Sequence, residues 1–269
     1  SSESHFQMLQ KLELSYQDHF SLKAYCDSLN IEFISTPYDI NSAIFLNEDL
    51  DVRCFKTASA DIVDIPLQEY IASTGKNAIV SVGMASLGEI ETVCEIYHKN
   101  KNKNLSLLHC VSNYPCSDKS LNLKVIKTLQ NAFGVPVGYS DHCLGETGAI
   151  ISIAFGAKII EKHFTLDKKM EGPDHILSME PKEFAEMKER VKIVEKSLGD
   201  GIKQPSSSEI ASVIRFRKTM YAKNKINKGS IINAEDIIYT APAYGIYAKF
   251  EDIVLGKMAN QDIPENTPI

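Results

Sequence analysis

Two histidines follow apolar runs that lie close together in the chain. His142 comes after a run ending in VGYS, and His163 comes directly after KIIEK. If both runs are parallel strands of one sheet, both imidazoles emerge at the same edge of that sheet. Two neutral imidazoles at one edge can bind a divalent transition ion and leave its other positions to water or to a substrate oxygen. The pattern therefore predicts a metal site.

Acidic neighbours favour this interpretation, because Asp141 and Glu161 stand where they could orient the two rings. The alternative is that either histidine only hydrogen-bonds within the loops. We interpret Lys162 and the other charges of KHFTLDKK as solvent-exposed, as charged side chains usually are.

Small polar residues end most of the apolar runs, accompanied by one lysine. Each hydroxyl offers a hydrogen-bond donor and lysine adds a positive charge, so together they can bind a phosphate or a carboxylate. Such residues can also simply terminate strands. A metal beside an anion site suggests a phosphorylated substrate that reacts with a carbonyl group polarised by the ion. The candidate anion ligands are Thr36, Lys56, Ser59, Ser81, Ser112 and Ser140.

The segment EGPDH follows the last apolar run and adds Asp174 and His175. Its Gly-Pro pair is typical of a surface turn. The same turn could bring Asp174 to the mouth of a site, and both interpretations stay open at this point.

Short apolar runs recur along the first part of the chain, and stretches with helical periodicity lie between most of them. Strand and helix alternate without hairpin signals, which indicates parallel strands joined by crossovers. The runs are nearly continuous in hydrophobicity, so both faces of the sheet are expected to be buried. The predicted strands are 31–37, 52–59, 77–83, 105–112, 135–140 and 158–164.

The position of the polar residues selects the architecture. They fall at the carboxyl ends of the predicted strands, where (β/α)₈ barrels build their active sites. No GxGxxG motif follows any of these strands, which argues against a dinucleotide-binding doubly wound sheet. We therefore predict an α/β fold of the TIM (β/α)₈ barrel type.

A complete barrel needs eight strands, and only six apolar runs of this kind occur. The segment 180–201 has the character of a closing helix, after which the alternation stops. The expectation is therefore that the first two strands precede residue 1. QMLQKLEL and YQDHFSLKAYCDSLN are predicted to be helices that lead into the first of the six strands.

The chain changes character at residue 204. QPSSSE is typical of a linker, and the residues after it form short β-type runs with turn signals and scattered prolines. We predict two domains. A barrel domain covers 1–203 and is incomplete at its N-terminus, and a small β-rich domain covers 204–269.

Composition argues against several functional classes. The net charge is −6, so no basic excess exists to neutralise nucleic acid or an anionic membrane. The 6 cysteines are scattered without a CxxC motif and are expected to be reduced core residues. No long apolar run and no signal-peptide pattern occurs, which predicts a cytoplasmic protein without a membrane partner.

One long block has the character of a family signature, namely GYSDHCLGETGAIISIAFGAKIIEKHFTLDKKMEGPDHILSMEP. Further blocks occur in order: STPYD, FKTASADI, SVGMASLGEIE, LLHCVSNYP and SLGDGIKQPSSSE. Together they resemble the sialic acid (N-acetylneuraminate) synthase family, which also contains legionaminic and pseudaminic acid synthases. The tail resembles the SAF (antifreeze-like, β-clip) domain of that family.

The resemblance implies a barrel enzyme that condenses phosphoenolpyruvate with the open-chain form of an N-acetylated amino sugar resembling N-acetylmannosamine. The products would be a nine-carbon sialic-acid-type 2-keto acid and phosphate. Carbon 3 of phosphoenolpyruvate would attack the sugar aldehyde, and water would add at carbon 2 before phosphate leaves. The resemblance also implies a homodimer in which the SAF domain of one subunit covers the barrel of the other.

Residue roles follow from the same resemblance. His142 and His163 would hold Mn²⁺ or Mg²⁺, which polarises the aldehyde. The phosphoenolpyruvate ligands would be Lys56, Ser59, Ser81 and Ser140. The remaining substrate-binding residues would be Thr36, Ser112 and Asp174. The residues with catalytic roles would be Lys56, Asp61 and Tyr114.

Three departures from the family pattern bear on activity. Asp61 stands where the family usually has glutamate, and its shorter side chain could weaken proton transfer. Ala241 stands where the SAF domain usually offers an arginine to the N-acyl group of the sugar. The first two strands of the family, which carry a glutamate and a lysine of the site, would precede residue 1. Two alternatives therefore stay open: a non-catalytic or altered homologue that binds a sugar acid, and a related metal-dependent aldolase that uses pyruvate.

Overall fold

The computed structural model describes residues 5–269, and the chain divides into two compact units. The first unit extends to Gly199, and the second covers Asp200–Ile269. Each unit has an apolar core of its own. All of the residues predicted to do chemistry lie in the first unit.

Five parallel strands form a curved half-barrel sheet in the first unit. Their spatial order is their order in the sequence, so each strand pairs with the next one along the chain. Every connection is therefore a crossover, as parallel pairing requires. This architecture confirms the predicted α/β barrel-type fold. The strands are β1 Cys54–Thr57, β2 Asn77–Ser81, β3 Leu105–Cys110, β4 Val137–Asp141 and β5 Ile160–Lys162.

Helices precede the sheet, lie in every crossover between its strands and follow the last strand. They are α1 His5–Leu12, α2 Tyr16–Ser28, α3 Ile40–Ile44 with a π-helical turn Phe45–Asp49 after it, α4 Ile65–Ser73, α5 Leu87–Lys99, α6 Val125–Phe133, α7 Thr147–Ala154 and α8 Pro181–Leu198. Local signals fix their ends. A capping box starts α5, in which the Ser86 amide donates to the Glu89 carboxylate. Gly134 ends α6 in the left-handed conformation, at φ 63°.

The prediction of a further strand at 31–37 is wrong, because these residues carry no strand in the structure. Of this segment only Pro37 is buried, whereas Ile31 and Ile34 are 57% and 42% exposed. A strand of a parallel sheet needs ladder partners and is normally buried on both faces. Hydrophobicity alone therefore does not make this segment regular, although Phe33 still packs against the core.

Buried apolar side chains on the sheet and its helices hold the first unit together. Phe55, Leu107 and Tyr139 come from the strands, and Leu67 and Ile126 come from α4 and α6; all are almost completely buried. Burial of one such side chain contributes about 1.5–3 kcal/mol relative to leaving it exposed. Because successive side chains of a strand point in opposite directions, the same strands can pack against helices and present polar residues on the other face.

The second unit is built around two short antiparallel strands. After helix α9 Ile210–Phe216, strand β6 Thr219–Ala222 pairs with β7 Ile237–Thr240, and isolated β-bridges extend the pairing. Ala241 follows β7 directly and is exposed. The core of this unit consists of Met220, Ala222, Ile226, Ile232, Ile237, Val254 and Ala259.

Within the range 5–269, none of the helices combines the length and apolar character that crossing a bilayer requires.

We predict that Gly138→Ala destabilises the chain. A Cβ at this position of β4 would lie 2.5 Å from Leu108 Cδ2 and 2.6 Å from the Ile159 carbonyl oxygen. Overpacking of this kind typically costs about 1–3 kcal/mol, which urea unfolding followed by circular dichroism can measure. Gly88→Ala in α5 is the control, because a Cβ there meets no atom within 4 Å. Equal free energies of unfolding for the two variants would contradict the close packing at Gly138.

Candidate functional site

One cavity of about 610 Å³ opens at the carboxyl ends of the half-barrel strands. Barrel enzymes build their sites at this edge. The cavity is lined by every residue that the sequence predicted for the site except Asp61. These lining residues are Thr36, Lys56, Ser59, Ser81, Ser112, Tyr114, Ser140, His142, His163 and Asp174.

The part of the cavity around Gly83 is its floor, where the hydroxyls of Ser59, Ser81 and Ser112 differ in their hydrogen bonds. Ser59 Oγ accepts from the Gly83 amide at 3.0 Å and lies 3.0 Å from Cys110 Sγ. Ser81 Oγ is buried and has no hydrogen-bond partner in the described part of the chain. A buried hydroxyl without a partner costs free energy, so a ligand oxygen bound there would recover a hydrogen bond.

Gly83 lies where the floor is most tightly packed. A Cβ here would lie 2.5 Å from Ser112 Oγ, 2.7 Å from Cys110 Sγ and 2.8 Å from Ser59 Oγ. Protein interiors are close-packed, and carbon atoms do not approach neighbours at such distances. Glycine therefore allows side chains from the ends of β1 and β3 to converge over the end of β2.

A lysine and a glutamate face each other in the cavity. Lys56 Nζ lies 3.5 Å from Glu161 Oε2 and donates to the Thr57 carbonyl oxygen. Ser140 Oγ donates to Glu161 Oε1 at 2.7 Å. The sequence suggested Glu161 only as an orienting neighbour of a histidine, whereas it lines the cavity itself. The sequence does contain a pattern that predicts this position: Glu161 lies two residues before His163, and alternate residues of a strand share a face.

His142 and His163 lie beside each other on the cavity wall. Their ring centroids are 5.4 Å apart, and the ring planes meet at 78°. Tyr114 stacks on His142 with centroids 4.2 Å apart and meets His163 edge-on at 5.6 Å. The tyrosine ring therefore restrains both imidazoles.

A hydrogen bond fixes the tautomer of His142, whereas burial acts on His163. His142 Nδ1 lies 2.8 Å from the Val111 carbonyl oxygen, which can only accept. In the neutral ring Nδ1 therefore carries the proton and Nε2 keeps a lone pair, 3.3 Å from Ser140 Oγ. Burial lowers the pKa of His163 and outweighs the opposing effect of Asp174, whose Oδ2 lies 3.7 Å from Nδ1. The neutral tautomer of His142 thus keeps Nε2 for a metal, and burial favours the neutral, metal-binding form of His163.

Two neutral imidazoles fit part of the coordination shell of a divalent cation. Across residues 5–269, no group of three or more His, Cys, Asp or Glu side chains is placed to hold an ion. The chain would therefore supply two nitrogen ligands, and water or substrate oxygens would supply the others. Ions that readily keep oxygen ligands, such as Mn²⁺ and Mg²⁺, suit this donor set.

Asp61 lies outside the cavity lining, in the helical turn that follows β1. Its Oδ2 atom is buried, and no described residue offers it a hydrogen bond. Burial raises the pKa of Asp61, Asp64 adds to the rise, and Lys56 opposes it. The carboxylates inside the cavity are instead those of Glu161 and Asp174.

The interpretation of Lys162 as solvent-exposed is wrong. The side chains of Lys162 and Asp141 are both 0% exposed, and Lys162 Nζ lies 3.1 Å from Asp141 Oδ2. The two residues alternate along β4 and β5 with Ser140 and Glu161, which line the cavity, so they belong to the opposite face of the sheet. Residue type alone suggested exposure, whereas the strand pattern buries this lysine beside a carboxylate.

Comparison with protein families matches both parts of the chain. Residues 1–203 match the NeuB family, and residues 217–269 match the SAF domain. The chain is also 42% identical over 268 residues to the N,N'-diacetyllegionaminic acid synthase of Campylobacter jejuni. That match covers 99% of this chain and 80% of the relative.

Solved structures give the same result for the fold. The N-acetylneuraminic acid (sialic acid) synthetase of Leptospira borgpetersenii, in complex with citrate, is 38% identical with a TM-score of 0.73, over 77% of this chain and 72% of the other. The spore coat polysaccharide biosynthesis protein E of Chromobacterium violaceum is 25% identical with a TM-score of 0.86, over 100% of this chain and 81% of the other.

We predict that Asp61→Asn stabilises the chain at neutral pH. Because burial raises the folded-state pKa of Asp61, the ionised carboxylate destabilises the folded state above that pKa. This cost disappears as the pH falls below the ordinary carboxyl pKa of about 3.9. Urea unfolding should therefore show a free energy of unfolding above wild type at about pH 7 that converges with wild type toward about pH 4.

Asp51→Asn is the matched control with the opposite sign. A hydrogen bond from Lys76 lowers the pKa of Asp51, so the wild-type carboxylate stabilises the folded state above its unfolded pKa. The Asn variant should be the less stable one at neutral pH and should converge with wild type in acid. A stability difference for Asp61→Asn that does not change with pH would contradict the assigned burial of that carboxylate.

Proposed function

The chain belongs to the NeuB family, and we propose that it condenses phosphoenolpyruvate with the open-chain form of an N-acylated amino sugar. The products are a nine-carbon 2-keto acid and inorganic phosphate. Similarity to synthases named for legionaminic acid and N-acetylneuraminic acid supports this reaction class. We assign the sugar to the 2-acetamido aldoses that resemble N-acetylmannosamine.

One observation carries the proposal: a single cavity brings together a lysine, two imidazoles, two carboxylates and a hydroxyl that has no partner among the described residues. Lys56 is only 9% exposed, so its charge acts in a partly dehydrated environment where electrostatic attraction is stronger than in water. Phosphoenolpyruvate offers acceptor oxygens to the Ser81 hydroxyl, which has no partner in the described part of the chain. The Lys56 ammonium group already contacts the Thr57 carbonyl oxygen and Glu161, and its third N–H can donate to the same anion. The volume of about 610 Å³ falls within the range of small-molecule sites.

The reaction forms one C–C bond and breaks one C–O bond. Carbon 3 of phosphoenolpyruvate bonds to the aldehyde carbon, and the aldehyde oxygen takes a proton and becomes a hydroxyl. The oxygen of water bonds to carbon 2 and stays as the new ketone oxygen, while phosphate leaves with its bridging oxygen. One proton of that water goes to the aldehyde oxygen, and the other leaves with phosphate.

Glu161 is suited to move these protons. Its Oε1 accepts from Ser140 Oγ at 2.7 Å, and its Oε2 lies 3.5 Å from Lys56 Nζ, so both oxygens are held inside the cavity. A general base must lie within hydrogen-bond reach of the proton that it takes. Asp61 is not among the residues that line the cavity, so we assign this role to Glu161.

His142 and His163 would hold a divalent cation, Mn²⁺ or Mg²⁺. When bound, such an ion supplies Lewis-acid polarisation of a carbonyl oxygen. The contribution of the chain is to hold the two rings beside each other, with their centroids 5.4 Å apart. The Val111 carbonyl oxygen fixes the first ring, and Tyr114 packs against both.

Phosphate release tests the proposal. The wild-type chain, supplied with phosphoenolpyruvate, Mn²⁺ and a panel of 2-acetamido aldoses, is expected to release inorganic phosphate in proportion to the 2-keto acid formed. Glu161→Gln should lower kcat by about 10²–10⁴-fold, the usual contribution of a general acid or base. His142→Ala and His163→Ala should abolish the metal-dependent rate. Lys99→Met is the control, because this lysine of α5 is 74% exposed.

Other outcomes would count against the synthase. Phosphate release that survives the loss of both histidines would contradict the metal role. Binding of phosphoenolpyruvate without turnover across the panel would favour an altered homologue that binds a sugar acid. Turnover of pyruvate in place of phosphoenolpyruvate would favour a metal-dependent aldolase.

We predict that Gly83→Ala raises the KM for phosphoenolpyruvate by at least about tenfold. The added methyl group would displace Ser59 and Ser112 from the floor, and a hydrogen bond to a charged group contributes about 1.5–3 kcal/mol. Steady-state kinetics at saturating sugar measure the effect, with Gly88→Ala as the matched glycine control. An unchanged KM would show that the floor does not bind phosphoenolpyruvate.

A further inference from the structure

A buried ion pair lies on the face of the sheet opposite the cavity. Asp141 and Lys162 are register partners at the ends of β4 and β5, and each is the residue immediately before one of the two cavity histidines. Their side chains are 0% exposed. The proposed chemistry uses neither of them, since both lie outside the cavity lining.

The contacts of this pair enclose His142 on both sides along the chain. Asp141 Oδ1 accepts from the Cys143 amide at 2.9 Å and from the Tyr139 hydroxyl at 3.3 Å. Lys162 Nζ lies 3.1 Å from Asp141 Oδ2 and donates to the Cys143 carbonyl oxygen. The lysine of β5 thereby holds the residue before His142 and the residue after it.

The same contacts fix His142 relative to the second histidine. His163 follows Lys162 directly in the chain. The ammonium group of Lys162 contacts Asp141 and Cys143, the two residues that flank His142, so one side chain links the backbone at both histidines. Helix α7 covers the pair from outside. A Cβ on Gly148 would lie 3.1 Å from the Tyr139 hydroxyl and 3.4 Å from Asp141 Oδ1.

The pair is a poor source of stability. Removing two charges from water costs much of what their attraction returns, and well-packed apolar residues often serve as well or better. The pair therefore serves to fix the geometry of the two strand ends, because a charge pair that also bonds to the backbone can adopt fewer arrangements than an apolar contact.

We propose that the Asp141–Lys162 pair is a positioning device that sets the separation and direction of the His142 and His163 rings. The inference rests on the proposed function, in which these rings hold a divalent cation. Groups that orient metal-binding residues typically change metal affinity by about 10–100-fold when they are removed.

The test uses the double variant Asp141→Asn with Lys162→Met, which removes both charges and leaves neither ion alone in the interior. Mn²⁺ alone is the probe, titrated into the full chain and followed by the electron paramagnetic resonance signal of the free ion. Circular dichroism gives the melting temperature of the same sample. We expect Mn²⁺ affinity to fall at least about tenfold while the chain stays folded.

The matched control is Asp51→Asn with Lys76→Met. This pair makes the same kind of contact, at 2.8 Å, but it lies before the amino ends of β1 and β2, and Asp51 is 87% exposed. Its Mn²⁺ affinity should stay within about twofold of wild type. A purely structural role for Asp141 and Lys162 would lower the melting temperature of the folded double variant without changing its affinity, and that result would overturn the proposal.

A second pair of variants decides the question if the double variant does not fold. Gly148→Ala keeps every charge and presses a methyl group toward Asp141, whereas Gly88→Ala occupies the same second position of α5 with no neighbour within 4 Å. We expect Mn²⁺ affinity to fall at least about threefold for Gly148→Ala only. Equal affinities for the two alanine variants would overturn the proposal.

The positioning role of the ion pair and the metal site itself are contradicted by different results. Normal Mn²⁺ binding by wild type together with normal binding by the folded double variant would remove the positioning role and leave the synthase untouched. A wild-type chain that binds no Mn²⁺ would contradict the metal site itself, and with it both proposals.

Discussion

The pairing of β4 with β5 in a single register is the constraint on which the site depends. It sets Ser140 against Glu161 on the cavity face and Asp141 against Lys162 on the opposite face. A slip of one residue would exchange the two faces and turn the charged pair into the cavity. The buried ion pair makes such a slip costly, because it would leave two charges without their partners.

Much of the half-barrel was accessible from the sequence, because β1 to β5 are apolar runs that end in polar residues. The alternation of apolar runs and helical stretches predicted the parallel order of the strands and the sheet edge at which the cavity opens. It therefore also predicted where the serines and both histidines lie. It failed at 31–37, where hydrophobicity carried no information about ladder partners. Lys162 was predicted to be exposed because charged side chains usually are, whereas strand alternation places its side chain on the buried face. The role of Asp61 came from the resemblance alone; this residue lies in the turn after β1, outside the cavity lining but near enough to Lys56 for their charges to interact.

The hydroxyls of the cavity also show why residue type underdetermines a site. Ser59 is already committed to Gly83 and Cys110, and Ser140 to Glu161, whereas Ser81 has no partner in the described structure. Ser59 and Ser140 therefore already hold other groups in place, whereas the buried Ser81 hydroxyl has its full hydrogen-bonding capacity left for a ligand. Sequence names the donors, but only geometry shows which of them are occupied.

The floor of the cavity around Gly83 is tightly packed, whereas its rim, formed by Met84 and Tyr114, is open to solvent, and this difference decides where the cavity can be enlarged. At Gly83 the floor has no room for even one additional carbon, whereas Met84 next to it is 74% exposed and Tyr114 is 52% exposed. Under the proposed function, a shorter side chain in place of Met84 at the rim is therefore the first change to make when the cavity is to accept a sugar with a bulkier acyl group. Substitutions in the floor would deform its close packing before they created any new space.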